Sequence, residues 1–191
     1  MMKKLMIYGG QFNPIHIGHM LVASEAYQFV QPDKFIFLPS YQSPLKEHNE
    51  SYLIESERVK MLELAIEDLR FGEVDERELN RKGTSYTFDT IKEFKQEFPN
   101  YQIYFVIGSD QYENLHKWRN IAELKELLTF VVVNREVDKQ DVKEGMLALH
   151  IPRIDVSSTD IRNRCKNRQS IKMLVTPRIE RYIKRGRLYE N

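Results

Sequence analysis

The sequence predicts an α/β protein with a Rossmann-like, doubly wound parallel sheet, helices on both faces and a helical C-terminal segment. Over the first two thirds of the chain, short apolar runs of strand length alternate with amphipathic segments of helix length. A glycine turn also follows the first apolar run directly and opens a helix. Strands that alternate with helices form parallel sheets with right-handed crossovers, which places helices on both faces.

The first part of the chain predicts a βαβ unit. Residues 5–8 form an apolar run, and a second run occupies residues 35–38 after the helix-breaking Pro32. Residues 39–52 are polar and lack periodicity, which predicts a long loop at the carboxyl end of the second strand. Between the two strands, four apolar residues recur at helical spacing: Met20, Ala23, Ala26 and Tyr27.

The middle of the chain continues the alternation. A helix is expected over about 56–70, with a buried face formed by Val59, Leu62, Ile66 and Leu69. The elements expected after it are a short strand from Val74, a helix over 87–98, a central strand over 103–107, a helix over 121–128 and a strand over 130–133. The carboxyl ends of parallel strands meet at one edge of the sheet, so we expect the polar segments that follow the strands to converge there.

The C-terminal part is basic but patterned. Residues 162–187 contain ten basic residues and one acidic residue, Glu180, interleaved with apolar residues. This pattern favours amphipathic helices packed on the sheet over a nucleic-acid-binding tail.

Composition predicts one domain over residues 1–191 in the cytoplasm. The chain is 41% hydrophobic and 30% charged, and its net charge of +1 gives no general attraction to nucleic acid or membrane. Its single cysteine, Cys165, excludes an internal disulfide. No signal peptide is expected, and no apolar stretch approaches the roughly 18 residues of a membrane span. The number of subunits stays open, a homo-oligomer included.

The segment after the first strand, GGQFNPIHIGH at residues 9–19, suits a triphosphate. Gly9 and Gly10 let the backbone approach phosphate oxygens without a Cβ in the way. A helix beginning near Ile15 would direct N–H groups and a positive dipole end at the anion. His16 and His19 are three residues apart and lie on the same side of the first turn. The alternative is that the glycines form a tight turn and the histidines only cap or pack.

This segment resembles the signature of the nucleotidyltransferases with the HxGH motif, which join a phosphorylated metabolite to the nucleotide part of a triphosphate. Residues 156–162, VSSTDIR, resemble the second signature of that family, ISSTxIR. Ser158 or Thr159 would cap a helix, and Arg162 could fork onto phosphate oxygens. The two segments are expected to meet around one ligand; an ordinary N-cap with a solvated arginine is the alternative.

Two further segments indicate the acceptor. Residues 84–90, TSYTFDT, resemble the SYTxDT segment of the bacterial nicotinate mononucleotide adenylyltransferases. Gly108 and Asp110, followed by Trp118, match their GxD...W arrangement. The resemblance implies that Trp118 stacks on the pyridine ring and that backbone donors near Thr87 and Arg119 receive the nicotinate carboxylate.

The resemblance implies the reaction and the remaining roles. The 5′ phosphate of nicotinate mononucleotide attacks the α-phosphorus of ATP in line, without a covalent enzyme intermediate, and gives deamido-NAD and pyrophosphate. His16 and His19 would stabilise the α-phosphate, Lys46 and Arg162 would hold the β and γ oxygens, and Mg²⁺ would accompany ATP. The predicted ATP-binding residues are Gly9, Gly10, Phe12, Gly108, Asp110, Arg135, Ser157, Ser158 and Thr159.

The chain departs from the family pattern in one loop, and two alternative functions stay open. The family loop often carries Pro-His-Lys, where this chain has Ser43-Pro44-Leu45-Lys46, so an acceptor-binding role at Leu45 is in doubt. His48 is read as a solvated loop residue. The rivals are an adenylyltransferase for another acceptor, such as phosphopantetheine, and a non-catalytic nucleotide-binding sensor.

Overall fold

The computed structural model describes residues 2–44, 54–134 and 142–190. Within them lies a six-stranded sheet, parallel throughout, in the order β3-β2-β1-β4-β5-β6. The strands are β1 (Lys3–Gly10), β2 (Lys34–Pro39), β3 (Glu73–Val74), β4 (Tyr101–Gly108), β5 (Thr129–Asn134) and β6 (Leu147–His150). The strand order reverses direction between β1 and β4, and such a switch point opens a crevice at the carboxyl ends of the two strands.

Helices connect the strands and follow the sheet. They are α1 (Ile17–Val30), α2 (Glu55–Leu69), α3 (Arg77–Arg81), α4 (Thr87–Glu97), α5 (Ser109–Glu113), α6 (Ile121–Leu127), α7 (Ser158–Lys166) and α8 (Pro177–Gly186). A short 3-10 helix, Leu115–Lys117, lies between α5 and α6. Among the helices of the described ranges, none is long and apolar enough to cross a membrane.

The core has two halves, one on each face of the sheet. Along β1, Met6 and Tyr8 belong to a cluster that includes buried residues of α1, α2, α7 and α8. Leu5 and Ile7, on the opposite face, belong to a cluster that includes buried residues of α4 and α6. Alternate residues of a strand point to opposite faces, so β1 is buried on both sides. The prediction of a doubly wound sheet is confirmed.

Several boundaries differ from the sequence predictions. Helix α1 begins at Ile17 rather than near Ile15, and β3 ends at Val74 instead of starting there. The predictions did not include α3, α5, the 3-10 helix or β6. The first three of these have five residues or fewer and β6 has four, too few to establish a clear hydrophobic period.

The buried face of α2 is rotated from the one expected. Its buried residues are Arg58, Met61, Leu62 and Ala65, whereas Val59, Ile66 and Leu69 are only partly buried. The expectation counted apolar residues alone and therefore placed the buried arginine on the solvent side.

Candidate active site

The turn between β1 and α1 presents the two histidines of the first signature. The turn contains a cis peptide bond between Asn13 and Pro14. His16 is the N-cap of α1, and its Nδ1 accepts from the His19 N–H at 3.3 Å. The Nδ1 of His19 accepts in turn from the His16 N–H at 3.3 Å. Because each neutral ring accepts at Nδ1, this hydrogen-bond pattern assigns its proton to Nε2, the nitrogen that can donate to a phosphate oxygen.

The two imidazoles form one stacked unit. Their ring centroids are 3.7 Å apart with an interplanar angle of 25°. Phe12, only 1% exposed, presses against His19 with a centroid distance of 5.2 Å. The backbone of Phe12 is in the left-handed region, at φ 48°. The phenyl ring therefore supports the imidazole from within the core, and binding of ATP by Phe12 stays a prediction.

Gly9 and Gly10 make room for aromatic rings. A Cβ on Gly9 would lie 3.0 Å from Cζ of Phe105, and a Cβ on Gly10 would lie 3.0 Å from Cζ of Phe12. Both glycines also line a cavity at the carboxyl ends of the strands. Packing within the protein is thus a second reason for the glycine pair, beside the close approach of an anion.

A cavity of about 860 Å³ lies at the carboxyl ends of β1, β2, β4 and β5. Its volume is in the range of pockets that hold small-molecule ligands. The predicted site residues that line it come from distant parts of the chain: Gly9, Gly10, His19, Thr87, Gly108, Asp110, Trp118 and Arg119. The expected convergence of the polar segments after β1, β2 and β4 is confirmed.

Trp118 lies between this cavity and the core. Its ring is edge-on to Phe105 at 6.1 Å and to Phe130 at 6.0 Å. The indole Nε1 is buried and has no hydrogen-bond partner within the described part of the chain. The indole therefore offers carbon surface to the cavity, as stacking on a flat ring requires.

The start of α4 lies beside this tryptophan. Tyr86, the N-cap residue, makes no side-chain cap, and Tyr86, Thr87 and Phe88 all line the cavity. The first N–H groups of a helix lack partners within the helix and favour an anion. The side chain of Arg119 is paired with Asp89 at 3.0 Å and lies 5.0 Å from the ring centroid of Tyr86.

A buried carboxylate, absent from the sequence predictions, supports this end of the cavity. Glu78 is 4% exposed, lines the cavity and accepts a hydrogen bond from the Thr90 hydroxyl at 2.7 Å. Burial raises the pKa of Glu78, against the opposing effects of Thr90, Ser85 and Arg81. The Ser85 hydroxyl accepts from the Tyr41 N–H at 3.0 Å, so the network joins α3, α4 and the loop after β2.

The second signature contacts the first directly. The Ser158 hydroxyl donates to the Pro14 carbonyl at 2.9 Å, and Arg162 Nη1 donates to the Asn13 carbonyl at 2.9 Å. The expected contact between the two signatures is therefore confirmed, and their meeting around one ligand stays a prediction. The expected cap is wrong by one residue, because Ser157 caps α7 by accepting from the Asp160 N–H at 3.0 Å.

The second signature contacts the carbonyl groups of the turn, and its predicted site residues are not among those that line the cavity. Arg162 Nη2 also donates to the Thr159 hydroxyl at 3.2 Å, so each of the three hydroxyl groups of the segment has a protein partner. Six predicted residues of the described chain are not among those lining the cavity: Phe12, His16, Ser157, Ser158, Thr159 and Arg162. Their contacts with ATP stay predictions.

Arg58 is a further residue that the sequence predictions missed. It is 2% exposed, and its Nη1 donates to the Gln11 carbonyl at 2.7 Å and to the Ser40 carbonyl at 2.9 Å. It thus ties the ends of β1 and β2 to α2. An arginine in register with the apolar residues of an amphipathic helix is the signal that could have identified it.

Some predicted residues cannot be placed. Lys46 lies outside the described residues, together with Leu45 and His48 of the same loop. Arg135, which follows β5, also lies outside them. Within the described residues, no group of three or more histidine, cysteine, aspartate or glutamate side chains could hold a metal ion. Of the residues that the structure describes, Asp110 and Glu78 are the carboxylates that line the cavity.

Comparison with known proteins agrees with this arrangement. Residues 7–164 match the family model described as cytidylyltransferase-like, and the chain belongs to that family. A protein of Staphylococcus epidermidis named "Probable nicotinate-nucleotide adenylyltransferase" is 54% identical over 189 residues, covering 99% of this chain and 98% of the relative. A protein of the same name from Staphylococcus haemolyticus is 53% identical over 189 residues, with the same coverage.

The fold is also found in a solved structure, described as Plasmodium falciparum nicotinic acid mononucleotide adenylyltransferase complexed with NaAD. It has a TM-score of 0.80 and 22% identity to this chain, and 98% of each chain is covered. This structure shows the shared fold, and the two staphylococcal relatives confirm the resemblance inferred from the motifs over nearly the full length of the chain.

Proposed function

We propose that this protein is a nicotinate-nucleotide adenylyltransferase, which transfers the adenylyl group of ATP to nicotinate mononucleotide and releases pyrophosphate. The observation that carries the proposal is one cavity whose lining includes Gly9, Gly10 and His19 together with Thr87 and Trp118. A phosphate chain and an aromatic acid can bind side by side in such a cavity. The relatives of the same name, aligned over 99% of the chain, support it.

The reaction needs alignment and charge stabilisation rather than a nucleophile from the protein. The acceptor phosphate is already an anion, and it attacks the α-phosphorus in line while pyrophosphate leaves. Holding two reactants in a productive geometry can remove about 7 kcal/mol or more of the barrier. The cavity at the switch point serves this purpose.

The histidines supply the donors for the developing charge. In our assignment, Nε2–H of His19 and of His16 faces the α-phosphate, while the turn N–H groups and the start of α1 surround the phosphate chain. The stacked rings and the reciprocal caps hold both imidazoles before substrate binds. Arg162 and Lys46 are proposed to hold the β and γ oxygens.

The acceptor end is proposed to select the acid. Trp118 would stack on the pyridine ring, and backbone donors at Thr87 and Arg119 would receive the carboxylate at the start of α4. A carboxylate gains more than a neutral amide from a helix N-terminus, so the acid should be preferred over nicotinamide mononucleotide. Asp110 and Arg135 are assigned to the nucleoside.

The family implies a divalent metal with ATP, and we propose that it is Mg²⁺. The cation enters with the nucleotide, since Mg²⁺ is commonly held by substrate phosphates, water and one or two carboxylates. Asp110, which lines the cavity, is a carboxylate of the described residues that could hold such a cation.

The test is product formation from MgATP with three acceptors: nicotinate mononucleotide, nicotinamide mononucleotide and phosphopantetheine. We expect a dinucleotide and stoichiometric pyrophosphate with the first, less with the second and none with the third. Preference for phosphopantetheine would contradict the acceptor assignment. Binding of ATP with no product from any acceptor would indicate the sensor instead.

A further inference from the structure

The side chain of Asn13, in the turn of the first signature, is held from the C-terminal end of the chain. Asn13 is 2% exposed, and its Oδ1 accepts from the Tyr189 hydroxyl at 2.8 Å. Its Nδ2 is buried and has no hydrogen-bond partner within the described residues. Loss of the tyrosine hydroxyl would remove this donor from Oδ1 of a buried amide whose Nδ2 already lacks a partner within the described residues, which is costly.

The backbone of the same turn is anchored by other elements. Arg58 holds the Gln11 carbonyl, Arg162 holds the Asn13 carbonyl and Ser158 holds the Pro14 carbonyl. The Ile17 N–H donates to the Leu174 carbonyl at 3.0 Å. Tyr189 adds a fifth contact, to the side chain of Asn13. Asn13 lies three residues before His16, the first residue of the stacked pair.

The C-terminal tail that carries Tyr189 is held by hydrogen bonds and by packing against the core. After α8 the chain reverses through Arg187, at φ 49°, and Tyr189 itself has φ 66°. The Leu188 N–H donates to the Ile183 carbonyl at 3.0 Å, and Leu188 and Tyr189 both pack against the core cluster of that face. Left-handed backbone at two non-glycine residues is held only where the surroundings favour it.

The phenol is suited to act as a donor. Burial raises the pKa of Tyr189, although the charges of Arg162 and Arg58 oppose the shift. The hydroxyl therefore keeps its proton over the working range of the enzyme and continues to donate to Asn13.

We propose that Tyr189 is a positioning residue for the triphosphate turn: its hydroxyl fixes Asn13, and through Asn13 the position of the phosphate-binding N–H groups and of His16. The proposal deepens the proposed function and rests on it, because it concerns how the same turn binds ATP. It extends the active site to the C-terminal tail, far from the residues of the two signatures along the chain.

The test compares Tyr189→Phe with the matched control Tyr182→Phe. The Tyr182 hydroxyl also makes a hydrogen bond, to Glu57 at 2.6 Å, but it does not contact the turn. Removing one buried hydrogen bond corresponds to about 1 kcal/mol or more, so we expect KM and Kd for ATP to rise about five- to tenfold in Tyr189→Phe. KM for nicotinate mononucleotide should stay within about twofold, and Tyr182→Phe should leave all three constants unchanged.

A double-mutant cycle separates positioning from general destabilisation. Asn13→Leu removes the acceptor of the Tyr189 hydroxyl and should reproduce the weaker ATP binding. Adding Tyr189→Phe to Asn13→Leu should cause no further loss if the two side chains act as a unit. Additive losses, or equal rises in KM for both substrates, would overturn the proposal.

Direct titration of ATP by calorimetry keeps the two proposals distinguishable. If the parent makes no dinucleotide but Tyr189→Phe still binds ATP several-fold more weakly, the proposed function fails and the positioning role stands. If the parent is active and Tyr189→Phe binds ATP like the parent, the positioning role fails and the function stands.

Discussion

The reciprocal cap of His16 and His19 gives each imidazole a structural and a chemical task. Each Nδ1 accepts a backbone N–H at the start of α1, which leaves Nε2 as the donor atom. Capping of the helix by these histidines is thus compatible with the role proposed for them. The reciprocal caps and the contact with Phe12 orient the two rings together.

The first prediction concerns His19→Ala. Removing a donor aimed at developing charge should lower kcat by about 10²- to 10³-fold, and loss of the cap should cost about 1 kcal/mol of unfolding free energy. Pyrophosphate release and urea denaturation measure the two effects. His116→Ala is the control, because His116 is exposed and the hydrogen bond of its ring is local, with the Glu113 carbonyl at 3.1 Å. Turnover of His19→Ala within threefold of the parent would refute the assignment.

The second prediction concerns Trp118. Trp118→Ala should raise KM for nicotinate mononucleotide about tenfold or more, since stacking of one base on an aromatic side chain contributes about 1–3 kcal/mol. KM for ATP should change little, and Trp118→Phe should recover most of the affinity because it restores an aromatic face. Steady-state kinetics with each substrate varied in turn provide the comparison. Equal losses for both substrates would place Trp118 in the core rather than in the acceptor site.

The elements around the acceptor end are joined through polar side chains. Glu78 on α3 accepts from Thr90 on α4, and Arg81 donates to the same Thr90 hydroxyl at 2.7 Å. Ser85 connects this pair to the loop after β2 through the Tyr41 N–H. These bonds connect α3 to the first turns of α4, where Thr87 and Phe88 line the cavity. The helix α3 has five residues, too few to be stable alone, and these bonds help to hold it against α4.

The third prediction follows from the raised pKa of Glu78. Burial holds this pKa above the ordinary value of 4.5, so between the unfolded and folded values the folded protein binds more protons. Stability must then fall as pH rises through that window. Relative to Glu78→Gln, which has no proton to lose, the parent should lose unfolding free energy as the pH rises above the ordinary value of 4.5. Urea denaturation at several pH values tests this, and an opposite or absent trend would contradict it.

The cavity of the folded molecule lies between parts of the chain that are distant in sequence. Residues from β1, β4, the start of α4 and the segment at Trp118 share the cavity, and the C-terminal helices support the turn from the other side. Ligand binding should therefore stabilise the folded chain as a unit, since no single element contains the site.

The fourth prediction is a shift in thermal stability. Deamido-NAD at about 100 times its Kd should add about 2.7 kcal/mol to the free energy of unfolding, which corresponds to a rise in Tm of about 5–10 °C. NAD, which carries the neutral amide, should produce a smaller shift at the same concentration. Differential scanning fluorimetry measures both. An equal or larger shift with NAD would refute selection of the acid by the start of α4.

Much of the site was predictable from short segments of sequence. The glycine pair, His16, His19, Thr87 and Trp118 belong to segments whose residue types and spacing indicate their chemistry. Glu78, Arg58 and Tyr189 were missed because each resembles an ordinary surface or tail residue in sequence. Their burial depends on partners 12 to 176 residues away, as with Thr90, Gln11 and Asn13.

Local pattern was sufficient for the fold class, most of the helices and strands, and the chemical character of the cavity, because periodicity and turn residues act over a few neighbours. The strand order, the rotation of α2 about its axis and the contact of the C-terminal tail with the first turn arise from packing across the sheet. Those contacts join groups that only the folded chain brings within hydrogen-bond distance, and no short window of sequence encodes such a distance.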